Sequence, residues 1–66
     1  PEIAVDEPVQ VGGENLKGWE DRHFAGWSED GKPLAWEGGK TSHTTDLRLP
    51  WDRVKTKDGT VWPPEE

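Results

Sequence analysis

Residues 25–36 read Ala25-Gly26-Trp27-Ser28-Glu29-Asp30-Gly31-Lys32-Pro33-Leu34-Ala35-Trp36. Asp30-Gly31 is a dipeptide that satisfies the positive φ angles of a two-residue type I′ hairpin turn. With that turn at the centre, Glu29 faces Lys32, Ser28 faces Pro33, Trp27 faces Leu34 and Ala25 faces Trp36. Period-2 alternation then sets Ala25, Trp27, Leu34 and Trp36 on one apolar face. Pro33 has no N–H, so its strand is expected at an edge or starting just after it.

A second Asp-Gly pair, Asp58-Gly59, repeats the signal near the other end of the chain. The same two-residue turn places Thr56 opposite Val61 and Lys55 opposite Trp62. Val54, Thr56 and Val61 would then share one face, with Lys55, Lys57, Thr60 and Trp62 on the other. Trp62 would stack under Lys55 as a cation–π pair. Between the two hairpins, Leu47, Leu49 and Trp51 alternate with Arg48 and Pro50, a further strand-like stretch. Residues 37–46 (EGGKTSHTTD) are loop by composition.

Upstream of the first hairpin the pattern weakens. Residues 1–13 read as an extended acidic arm, in which Ile3 and Val5, then Val9 and Val11, alternate with polar residues. Pro8 suits an edge or augmenting strand rather than a central one, and Gly12-Gly13 ends the arm. Residues 14–24 could hold a short helix with Leu16, Trp19 and His23 on one side, weakened by Gly18. The fold class is therefore small and mostly irregular or β. It comprises two short β-hairpins, an extended N-terminal arm (1–13), a single hairpin and loop unit (14–66), at most one short helix and little independent core.

Composition narrows the function classes. The chain has 66 residues, five of them Trp (Trp19, Trp27, Trp36, Trp51, Trp62), one Phe, and no Cys, Met or Tyr. Leu, Ile, Val and Phe together make up about a sixth of the chain, low for a self-sufficient core. Without cysteine there is no disulfide, thiolate metal site or redox chemistry. No apolar run reaches the length of a membrane span, and no basic segment followed by an apolar stretch marks a signal peptide. A soluble chain, in the cytoplasm or a virion rather than secreted, is the expectation.

Net charge is −6, and all of it falls in residues 1–30; residues 31–66 are balanced. Residues 40–57 are locally basic. A pI near 4.8 disfavours nucleic-acid binding. His23 and His43 have neighbouring acids, Asp21 and Asp46, but no metal-ligand spacing. Ser28, Ser42, the threonines and the histidines offer no spacing that marks a catalytic set, and so short a chain has little room to enclose a site. Pro1 as a catalytic base would need an apolar site, and Glu2 follows it. Gly38-Gly39-Lys40-Thr41 lacks the upstream glycine of a phosphate loop. No cofactor, metal, membrane or small-molecule ligand is expected.

Tryptophan is the residue type most enriched at binding hot spots. The sequence therefore points to a non-enzymatic accessory or structural subunit packed on a larger protein assembly, such as a small subunit of an enzyme complex or a minor virion protein. Trp62, Trp51, Trp19, Lys55, Ile3 and Val5 are the candidate contact residues, and the acidic arm would lie on a basic surface or add a strand. The alternative is an autonomous β module that binds peptide or glycan through exposed Trp. A third reading, an acidic mimic of nucleic acid, requires acids spread over the whole surface rather than gathered in residues 1–30.

Overall fold

A computed structural model describes residues 2–13 and 18–64. Six strands form one antiparallel sheet: β1 Pro8–Gly12, β2 Glu20–Trp27, β3 Pro33–Trp36, β4 Arg48–Pro50, β5 Arg53–Lys55 and β6 Val61–Trp62. Their order across the sheet is β4-β3-β2-β1-β5-β6. Among the described residues the helical content is a single 3₁₀ turn, Glu37–Gly39. The mostly β class with two hairpins is thus as the sequence indicates, and the expected strand between them is β4, flanked by Leu47 and Trp51.

The sheet is rolled, and connectivity shows why. β4 and β5 are four places apart in the order, which in a flat sheet is roughly 19 Å at about 4.8 Å per strand. Only Trp51 and Asp52 join them, and three Cα steps reach about 11 Å at most. The ends must therefore curl together. The Trp51 N–H donates to the Pro33 carbonyl (2.9 Å). Asp52 pairs with Lys32 at 3.5 Å and also lies beside Gly13, at the end of β1. β2 makes the roll possible by serving two neighbours in succession: Glu20–His23 pairs with β1, and Phe24–Trp27 pairs with β3.

The concave face carries the core: Val9, Val11, Phe24, Ala35 and Val54, with Ile3, Trp27 and Trp51 packed partly buried around it. Phe24 meets Trp27 edge to face, with ring centroids 5.2 Å apart.

Three expectations are corrected. First, residues 8–12 are an interior strand, paired on both sides by β2 and β5. Pro8 is tolerated because it is the first residue of the strand, and Val9 and Val11 are core residues. A strand already paired on both edges cannot augment another sheet. Second, Glu20–Trp27 is a strand where the sequence allowed helix; Glu14–Lys17 lie outside the described residues. Helical spacing of Trp19 and His23 loses to a period-2 pattern, in which Arg22 and Phe24 face inward opposite β1 and β3.

Third, both hairpins shift by one residue. Ser28 N–H donates to the Lys32 carbonyl (2.8 Å) and Gly31 N–H to the Ser28 carbonyl (3.0 Å); Thr56 N–H to Thr60 (2.9 Å) and Gly59 N–H to Thr56 (3.0 Å) repeat the arrangement. Each loop therefore has three residues, a type I turn closed by a glycine at positive φ (Gly31 +87°, Gly59 +90°). The aspartate of each Asp-Gly pair keeps negative φ, so type I′ does not form. The hydroxyl at the first position bonds the aspartate at the third, Ser28 to Asp30 and Thr56 to Asp58. These bonds favour that turn.

A one-residue shift moves side chains to the opposite face. Trp27 pairs with Pro33, Gly26 with Leu34, and Trp36 with Arg48. A bulge at Ala25 lies between the Phe24 and Gly26 pairs. Trp27 thus joins the core side, and Leu34 and Trp36 face outward with Arg48. In the second hairpin Val54 pairs with Trp62, and Lys55 with Val61. Trp62 is on the valine side, not the lysine side.

Both edges of the sheet are closed by proline. The alternation of hydrogen-bonded pairs, fixed by Glu37 N–H to Leu47 O and Trp51 N–H to Pro33 O, turns the backbone of Arg48 and Pro50 outward. The same alternation, fixed by Thr56 and Thr60, turns Val61 and Pro63 outward. At each edge one of the two outward N–H positions is a proline, which blunts strand addition.

Candidate interaction surface

Cross-strand partners share a face of the sheet, so the core-facing positions of the two edge strands follow from the register. On β4 they are Leu49, opposite Ala35, with Leu47 and Trp51 two residues away on either side. On β6 the position is Trp62, opposite Val54. On interior strands the aliphatic and phenylalanine side chains at such positions, Val9, Val11, Phe24, Ala35 and Val54, are buried. At the edges the cover is incomplete: Leu47 is 48% exposed, and Leu49 and Trp62 are each 37% exposed. These side chains form the apolar margins of the roll.

Of the sequence-derived contact residues, Trp62 and Val5 (56% exposed) are open to solvent. Trp51 and Ile3 are half-buried against the core. The Arg22 guanidinium lies 5.6 Å from the Trp51 ring centre and is held there by Glu20 Oε1 at 2.8 Å. Trp19 is half-buried beneath Lys55, whose Nζ is 4.8 Å from the ring centre. The cation–π partner of Lys55 is therefore Trp19 and not Trp62, because the shifted register puts Val61 opposite Lys55.

Leu47 and Leu49 are exposed residues that no sequence signal marks as contacts. Their alternation with Arg48 and Pro50 was visible, but their exposure depends on β4 ending the sheet, which no local pattern states.

The convex face holds a different feature. A groove of about 450 Å³ runs between Gly39 of the 3₁₀ turn and the β5–β6 hairpin. Its floor includes Pro8, Gln10, Asp21 and His23, and Lys55 and Lys57 line its hairpin side. Gln10 is the cross-strand partner of both Asp21 and Lys55, so the three stand in one row across β2, β1 and β5. The Gln10 amide donates to Asp21 Oδ1 at 3.3 Å. His23 Nδ1 is buried with no hydrogen-bond partner among the described residues.

Asp6 anchors the N-terminal segment against the long loop. It sits at φ +71°, the third residue of a turn closed by Glu7 N–H to the Ala4 carbonyl (3.0 Å). Its carboxylate accepts the Ser42 hydroxyl (2.5 Å) and the Ser42 N–H (2.9 Å). The Ser42 hydroxyl, then its N–H, hold the Asp6 carboxyl below the ordinary value; His43 adds a weaker attraction and partial desolvation opposes them. Asp30 and Asp58 are lowered as well, chiefly by the Ser28 and Thr56 hydroxyls of their turns. Each of these three carboxylates serves the fold through neighbouring donors. No protein-family model, curated protein or solved structure matches this chain.

Proposed function

We propose that this chain is a non-enzymatic accessory or structural subunit that docks on a larger protein through the apolar margins of its rolled sheet, with Trp62 as an anchor. The observation that supports the reading is the exposure of Leu47, Leu49 and Trp62 at core-facing positions of both edge strands. Tryptophan is among the residues most enriched at hot spots, and exposed apolar side chains at sheet margins mark interaction sites. Backbone pairing is a minor part of such docking, because Pro50 and Pro63 blunt the edges. Strand addition by residues 8–12 is no part of it, since they are already paired on both sides within the sheet.

The test compares wild type with Trp62→Ser and Leu49→Ser as immobilised bait. Loss of a hot-spot tryptophan weakens binding by about 30-fold, while thermal unfolding of the variant stays close to wild type. A partner retained equally by wild type and the double variant refutes the surface.

A second reading, an autonomous β module that binds peptide, draws on a separate observation: the groove on the opposite face, which carries charged residues at both ends.

A further inference from the structure

We infer that the convex groove is a binding site for a short peptide zwitterion, with its ammonium end at Asp21 and its carboxylate end at Lys55 and Lys57. Asp21, Gln10 and Lys55 form a single row of anion, amide and cation across three adjacent strands. Two strand spacings separate the backbone positions of Asp21 and Lys55, roughly 10 Å. An extended tripeptide spans about the same length from its ammonium to its carboxylate, at about 3.4 Å per residue. The cavity of about 450 Å³ is in the usual size range for small ligands.

The middle of the groove is suited to peptide groups. Gln10 brings an amide that can both donate and accept. His23 stands beside it in the groove lining. The lysine end is organised before binding, because Lys55 lies over the Trp19 ring at 4.8 Å. A cation already ordered loses less side-chain freedom when a carboxylate arrives. Pro8 adds apolar wall without adding charge. The sequence reading disfavoured a small ligand because no local motif encloses one; the groove arises only where three strands and the 3₁₀ turn meet.

The experiment is a titration of the ¹⁵N-labelled full chain with triglycine, followed by two-dimensional NMR. Saturable shifts at Gln10, Asp21, His23, Lys55 and the Trp19 indole are expected. N-acetyl-triglycine and triglycine amide should each bind about threefold or more weakly, as should Asp21→Asn and Lys55→Gln with free triglycine. The dispersion of each variant's spectrum checks that it is folded. Trp62→Ser, on the concave face, should bind triglycine as wild type does, so this site and the docking margin fail or stand separately. Absence of saturable shifts overturns the inference. So does equal binding of the N-acetyl form, which would make the groove an anion site alone, and so do shifts confined to residues outside the groove.

Discussion

Phe24→Ala should come close to unfolding this protein. Phe24 is 1% exposed, pairs with Ala35 across β2 and β3 and meets Trp27 edge to face. It also lies where β2 passes from one neighbour to the other, and its backbone bonds Asp6 and Glu7 (2.8 and 2.9 Å). Truncating a buried Phe to Ala costs about 3–5 kcal/mol. A chain of this length has a total stability of about 3–10 kcal/mol, so the variant loses a third of it at least and all of it at the low end. Phe24→Leu keeps most of the volume but loses the ring contact, at about 1–1.5 kcal/mol. That lowers Tm by about 4–12 °C. Leu49→Ala, on the exposed edge, should cost about 0.5 kcal/mol. Urea unfolding monitored by tryptophan emission and far-ultraviolet circular dichroism measures all three. If Phe24→Ala unfolds cooperatively at the wild-type midpoint, or Leu49→Ala costs more than Phe24→Leu, the core is not centred where the structure puts it.

Gly31→Ala and Gly59→Ala meet no steric clash, only the strain of positive φ, so each should cost about 1–2 kcal/mol, and the double variant should show the sum; a cost near zero would refute the three-residue turns. Neighbouring hydrogen bonds hold the Asp6, Asp30 and Asp58 carboxyls below the ordinary aspartate value, so their stabilisation is complete above that ordinary value and is lost below it, as pH falls through their lowered folded-state values. Urea midpoints measured downward in pH should decline there, and replacing the three by Asn should flatten the decline; an unchanged acid limb would count against these hydrogen bonds. Pro50→Thr restores an outward N–H on β4 and should promote self-association, seen as a rising sedimentation coefficient with concentration; a strictly monomeric variant would show that the proline is not what guards this edge.

The periodic stretches were legible residue by residue. Leu47, Leu49 and Trp51 alternate with Arg48 and Pro50, and that alternation is β4. Both Asp-Gly pairs mark real hairpins. Their register was not read correctly, although a local clue stood beside each: Ser28 and Thr56, two residues before the aspartates, cap a three-residue turn rather than a two-residue one. That single residue decided which face each strand shows, moving Trp62 from Lys55 to Val54 and separating Trp27 from Leu34 and Trp36.

The sequence by itself determined that the chain is β-rich, where it turns, and that its apolar mass resides in a few rings and valines, because alternation and turn chemistry act within a few residues. The tertiary structure alone decided that residues 8–12 lie inside the sheet, since pairing of Val9 and Val11 depends on strands up to tens of residues away. It also decided which apolar side chains stay open. Leu47, Leu49 and Trp62 have the same core-facing pattern as the buried valines and differ only in standing on strands with one neighbour instead of two. The row of Asp21, Gln10 and Lys55 belongs to the same class of fact: three residues distant in sequence become adjacent only when the sheet forms.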